Sequence, residues 1–217
     1  MHVTDLNARL DYTQDITVLV GETEQRFTLH KGIVTQHSAF FRAACNGKFK
    51  ESIEETVRLP EVDVAIFKIY VQWIYTGEIV VIDPEELTDH ESKNAPTRYL
   101  RLTQLYVLAD RLEDVHLRNA VVDTFLKLVD ETRKCPSIRA IEKAYEQTAG
   151  GSMLRILFSD YYVQLDCAEW FKECREDLPQ DFIFDVLVQS KQCSKIEPAW
   201  EDRCRYHEHN GKVPKCA

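Results

Sequence analysis

An α/β architecture of the segregated (α+β) kind, a small mixed sheet flanked by helices and followed by an all-helical extension, is predicted by three observations. Residues 15–30 carry two β-branched, alternating segments around a polar break, which is a hairpin pattern. Thr56 to Pro60 forms one more short strand after a helical crossover long enough to let it run parallel to an earlier strand. From Tyr99 onward the apolar residues recur at helical rather than strand spacing.

Each element has a local reason. Asp15, Ile16, Thr17, Val18, Leu19 and Val20 make the first strand, Gly21 to Gln25 break it, and Arg26 to His30 alternate again. Ser38 is suited to cap a helix whose face holds Phe40, Phe41, Ala44 and Cys45. Asp63 can cap the most regular helix, with Ile66, Ile69, Tyr70, Trp73 and Ile74 on one stripe. Gly77 fits the left-handed position that ends it, and Glu78 to Ile82 then resume an extended pattern. Residues 83–98, acidic and holding two prolines, read as a surface loop.

Two stripes follow, Leu102, Leu105, Tyr106, Ala109 and Leu112, then Leu117, Val121, Phe125, Leu128 and Val129. Pro136 starts a new segment with Ile138, Ile141 and Tyr145, which Gly150 and Gly151 interrupt. Ser152 can cap a fourth helix and Pro179 precedes a fifth with Phe182, Ile183, Val186 and Leu187. The expected organisation is an N-terminal segment 1–14, an α/β domain 15–132, a helical extension 133–200 and a Cys/His-containing tail 201–217.

At 217 residues, 44% hydrophobic and 29% charged, the chain has the composition of an ordinary globular protein with room for a sizeable core. The net charge of −9 and the lack of a long Lys/Arg run argue against direct nucleic-acid binding, which depends on clustered basic residues releasing counterions. No window resembles a membrane span and the start lacks a basic segment followed by an apolar one, so an intracellular protein, in cytoplasm or nucleus, is expected. Seven cysteines, an odd number, then read as reduced thiols, with metal binding possible where they meet histidines.

No phosphate-cradling glycine pattern, nucleophile elbow or HExxH is present, and Asp160 and Asp166 sit on a predicted helix without a partner base, so no catalytic residues are assigned and an enzyme is the outside alternative. The acidic Asp83 to Glu86 cluster is better explained as a solvated loop.

The order of elements and the residues themselves resemble the BTB/POZ family. The resemblance is carried by Asp15 to Val20, by Phe27, Thr28, Leu29, His30 and Lys31 with Ser38 and Phe41, and by Gly47 to Ser52. Leu59, Pro60 and Glu61, then Trp73 to Gly77, Leu105 to Leu112 and Leu117 to Asp123 complete it, over roughly residues 14–130. BTB domains are protein-interaction modules, so the resemblance implies binding rather than catalysis. It also implies that Asp15 and His30 belong to a buried framework, where polar side chains must be partnered.

Within some BTB proteins a hydrophobic residue, any residue and a glutamate engage a cullin scaffold of a ubiquitin ligase, and Phe49-Lys50-Glu51 matches that pattern. An exposed aromatic would supply the anchor and the carboxylate an orienting, charge-assisted contact; the alternative is that Phe49 packs locally and Glu51 is solvated. An adaptor also needs a place for its substrate, and with no kelch repeats in the chain the helical extension is the candidate. The family resemblance further implies a possible homodimer, with Ile33, Val34 and Phe40 the candidate centre of a two-fold interface, or a homodimeric or transcription-associated scaffold without a ubiquitin role.

The tail holds Cys204, His207, His209 and Cys216. Two thiolates and two imidazoles suit tetrahedral Zn²⁺, although the spacing is not that of a standard zinc finger and a frayed polar tail is the alternative. Short BTB proteins of the fungal type are similar at their C-termini. No cofactor is otherwise required, and such a zinc would be structural, because four protein ligands leave no open position.

Overall fold

The computed structural model describes residues 12–46, 55–81, 95–132, 134–165, 168–192, 203–209, 213 and 216. The chain divides into two compact units, one made of Met1–Glu78 with Arg111–Asp114 and the other of Ile79–Asp110 with Val115–Ala217. Residues 79–110 and 115–132, grouped by sequence with the hairpin, therefore share a unit with the later helices.

The first unit is built on a three-stranded sheet of order β2-β1-β3. Strand β1 (Asp15–Val20) pairs antiparallel with β2 (Gln25–His30), Asp15 opposite His30 and Val20 opposite Gln25. Strand β3 (Thr56–Leu59) lies parallel along the other edge of β1, with Val18 opposite Val57. The hairpin turn needs Gly21: its φ is +75°, and a Cβ there would sit 3.1 Å from Val64 Cγ2. Even-numbered β1 residues Ile16, Val18 and Val20 are buried, while Asp15 points to solvent, as the two-residue period demands.

Helices α1 (Lys31–His37) and α2 (Ala39–Cys45) meet at Ser38. The Ser38 hydroxyl accepts from Phe41 N at 3.1 Å, capping α2, and donates to the Leu112 carbonyl at 2.5 Å. Helix α3 (Val64–Thr76) begins under Asp63, whose Oδ1 accepts from Ala65 N at 2.7 Å, and ends at Gly77 with φ 72°. Its inner face, Ile66, Phe67, Ile69, Tyr70 and Ile74, completes the core, with Phe27 packed edge-on against Phe67 at 4.9 Å.

In the second unit, residues 79–81 alternate like a strand but form none; the Val81 carbonyl is taken by Arg101 Nη1 at 2.8 Å. Helix α4 (Ala95–Arg111) starts four residues before the expected Tyr99. Pro96 does not prevent this, because the first helical turn has no intrahelical partner for its missing N–H. Helix α5 (Val115–Thr132) follows, and Tyr99 of α4 stacks on Phe125 of α5, which meets Phe158 edge-on. Helices α6 (Ile138–Gln147) and α7 (Met153–Gln164) are capped by Ser137 and Ser152. Short α8 (Ala168–Glu173) precedes α9 (Gln180–Gln192), which packs chiefly on α7. Tyr162 joins these elements, lying 4.8 Å from Trp170 and 5.3 Å from Phe182 between ring centroids.

Buried Arg155 of α7 closes the α6–α7 turn. It donates through Nη2 to the carbonyls of Tyr145, at 2.6 Å, and Thr148, and through Nε to Thr148 Oγ1, while its guanidinium lies 4.6 Å from the Tyr145 ring. Among the described residues no helix is long and apolar enough to cross a membrane.

Candidate functional site

Phe49 and Glu51 lie outside the described residues. Of the three interface candidates, Ile33 and Val34 are buried in the first unit's own core, so they present no face to a second copy; Phe40 is half-buried against Phe41. Helical spacing had identified a buried face without naming what buries it. The framework pair is also corrected in part. Asp15 is exposed and contributes backbone pairing rather than a buried carboxylate. His30 is half-buried, with Nδ1 2.8 Å from the hydroxyl of Tyr75, and Tyr12 meets its ring edge-on at 5.5 Å. Tyr12 and Tyr75 are both largely exposed, so an aromatic cluster marks the surface here.

The tail is the most densely organised candidate. A 3₁₀ turn, Arg203–Tyr206, lays it along α5 and α7 of the same unit. Tyr206 is fully buried and donates to Asp160 Oδ2 at 3.0 Å; Arg205 Nη2 lies 2.9 Å from the same oxygen. The fully buried Asp160, unpartnered by sequence reasoning, is thus held by a hydroxyl and a guanidinium. Burial raises its carboxyl above the ordinary value, and Tyr206 and then Arg205 pull it back.

Two residues beyond Tyr206, Glu208 is gripped twice. Arg118 of α5 forks onto Glu208, with Nε 2.6 Å and Nη2 2.5 Å from its two oxygens, and reaches Asp110 at 3.2 Å. Burial pulls the Arg118 pKa down, but the Glu208 carboxylate outweighs it and the net shift is upward. Asn119 reads the backbone of the same residue, its Oδ1 accepting from Glu208 N at 2.8 Å and its Nδ2 donating to Glu208 O at 3.2 Å.

Around this anchor three of the four sequence-predicted Cys/His side chains converge, and the fourth, His207, meets one of them. One ligand atom each from Cys204, His209 and Cys216 lies within 4.8 Å of the others. Cys204 Sγ is 3.1 Å from His209 Nε2, and His207 Nδ1 is 3.0 Å from Cys216 Sγ. The other nitrogen of His207, Nε2, lies 3.1 Å from Asp123 Oδ1 on α5. None of the five described cysteines is in a disulfide. Asp123, Arg118, Asn119 and Asp160 were not assigned roles from sequence, since nothing local marks a helix residue as the receptor of a segment some 40 to 90 positions later.

Two other surfaces belong to the second unit. A cleft of about 350 Å³ is lined by Glu142, Tyr145, Glu146 and Asp181 among others, and Tyr145 within it donates to Asp185 at 2.9 Å. On α9, Ile183, Phe184 and Leu187 are exposed by 39, 64 and 54%, an apolar stripe turned outward.

Comparison with known proteins gives a consistent picture. Residues 6–113 match the BTB/POZ domain family model. Kelch-like protein 30 of Homo sapiens is 34% identical over 67 residues, 31% of this chain and 11% of that protein. Kelch repeat and BTB domain-containing protein 4 of Pongo abelii is 22% identical over 186 residues, 86% of this chain and 32% of that protein. The chain therefore spans between about a tenth and a third of the length of these curated relatives.

Proposed function

Because residues 6–113 make this chain a member of the BTB/POZ family, we propose that it is an interaction adaptor that engages a cullin scaffold through Phe49 and Glu51 and a second protein through its helical unit. The BTB domain gives the coarser part of that role, contact with protein partners. The observation that supports the second contact is the outward apolar stripe of α9, Ile183, Phe184 and Leu187. Apolar side chains clustered at helical spacing on a surface are what a partner's groove would cover. The sequence Phe49-Lys50-Glu51 supports the first, by offering an aromatic anchor beside a carboxylate. The adaptor works inside the cell.

Calorimetric titration with the N-terminal domain of a BTB-binding cullin tests this. Micromolar or tighter binding is expected, abolished in a Phe49→Ala, Glu51→Ala variant whose circular dichroism matches the parent. No heat from the parent at two temperatures, which excludes an accidental zero enthalpy, overturns the cullin contact. A second reading, a homodimeric scaffold, is favoured by the half-buried Phe40 and the exposed Tyr12 and Tyr75. It requires a mass by light scattering that rises to two chains with concentration.

A further inference from the structure

We infer that Cys204, His207, His209 and Cys216 bind one structural Zn²⁺, that Asp123 of α5 is its positioning residue, and that the metal fastens the tail to the helical unit. The donor set has two thiols and two imidazoles, the mixture that a borderline-soft, tetrahedral ion accepts. Their order in space is paired across the site, Cys204 with His209 and His207 with Cys216, at 3.1 and 3.0 Å. Tetrahedral zinc, with Zn–S about 2.3 Å and Zn–N about 2.0 Å, sets sulfur-to-nitrogen edges at roughly 3.5 Å. Cys204, His209 and Cys216 already lie close enough for a small opening to admit the ion, and His207, which meets Cys216 at 3.0 Å but lies outside that group of three, turns toward it to complete the set.

His207 shows the strongest sign. Its Nε2 faces the Asp123 carboxylate at 3.1 Å, which fixes the tautomer with the proton on that nitrogen and leaves the Nδ1 lone pair directed at the sulfur of Cys216. A carboxylate behind a histidine is the support that metal-bound imidazoles take, since it orients the ring and raises its basicity. The ring of His207 is only 11% exposed. The site is moreover pre-positioned by contacts that need no metal: Tyr206 in its buried seat on Asp160, and Glu208 held by Arg118 and Asn119. Those anchors fix the turn that carries Cys204, His207 and His209, and Cys216 lies close to Cys204 and His209. Two thiolates neutralise the ion, and four protein ligands leave no coordination position for water, so the role is to hold structure rather than to catalyse.

The test uses the full-length chain purified under reducing conditions. Native mass spectrometry and elemental analysis should find one zinc per chain. Cobalt replacing zinc should give the visible absorption of a tetrahedral ion and a thiolate charge-transfer band. Cys204→Ser and Cys216→Ser should each abolish that band, whereas Cys174→Ser should not change it. Asp123→Ala should weaken zinc binding about ten- to a hundred-fold, with Asp123→Asn, which keeps an acceptor for the imidazole, recovering part of the loss. A chain that retains no zinc and gives no cobalt spectrum overturns the inference, as does a Cys204–Cys216 disulfide in place of the metal. Should a cysteine variant fail to fold, the cobalt titration of the unaltered chain and the Asp123 pair decide the matter.

Discussion

Replacing Tyr206 by Phe removes one oxygen and tests how the tail is held. The hydroxyl is buried and donates to Asp160 Oδ2 at 3.0 Å, an oxygen that also receives Arg205 at 2.9 Å. A hydrogen bond to a charged group contributes about 1.5–3 kcal/mol, and loss of the donor leaves a buried acceptor short of a partner. Because the Arg205 contact survives, we expect about 2 kcal/mol of destabilisation at neutral pH. The effect should depend on pH in a definite direction. Burial raises the Asp160 carboxyl above its ordinary 3.8, so the folded protein binds the proton more tightly than the unfolded chain, and stability falls as pH climbs through the folded value. Removing the hydroxyl, which lowers that pKa, raises it further in the variant. The variant therefore loses stability over a wider pH range than the parent, and the difference grows from about 1 kcal/mol where the acid is protonated to its full size once both proteins have ionised. Urea unfolding followed by circular dichroism at a series of pH values measures it. A penalty below about 0.5 kcal/mol throughout, the range of an ordinary surface change, would show that the Tyr206 seat does not carry the tail.

Two further substitutions probe each unit separately. Ser38→Ala removes the cap on Phe41 N and the donor to the Leu112 carbonyl; Leu112 O keeps Phe40 N at 3.4 Å, so the combined loss should be about 2 kcal/mol, read as a lowered thermal midpoint. Arg155→Lys keeps the charge but replaces a planar fork that serves Tyr145, Thr148 and the tyrosine ring by a single ammonium; about 2 kcal/mol should be lost in urea unfolding, and an unchanged midpoint would refute the role given to the fork.

The local grammar of the fold was legible because short-range chemistry decides it. Asp63 and Gly77 bracket α3, Ser38 and Ser152 occupy cap positions, and the hairpin and the parallel third strand follow from period and crossover length. The Cys/His group was legible as a composition of ligands, and the structure brings Cys204, His209 and Cys216 within 4.8 Å of one another with His207 beside Cys216. What sequence did not reveal were facts about partners distant along the chain. Ile33 and Val34 look the same whether they face a second copy or the core of their own unit, and only tertiary packing chooses. Asp15 sits on the outward phase of a strand whose core phase is even-numbered. Residues 78–81 have strand character, but the Val81 carbonyl bonds to a guanidinium. Asp123 is one polar residue on an amphipathic helix until His207, 84 positions later, arrives beside it.

The corner at Ser38 has a consequence for the order in which the protein can be made. Its hydroxyl and the neighbouring Phe40 amide both bond to the carbonyl of Leu112, and the buried Asp114 lies 3.9 Å from His37. Those partners belong to Arg111–Asp114, the short return segment of a unit otherwise finished at Glu78. During synthesis from the N-terminus, the sheet and the helices α1 to α3 therefore emerge with an open seam, and they wait for the whole of α4 to be translated before the seam closes. Until then the Ser38 hydroxyl and the Phe40 amide lack the carbonyl that receives them. A nascent chain stalled between residues 78 and 111 should accordingly be more susceptible to protease than one released a few residues later, at a stage when no second unit has yet been completed.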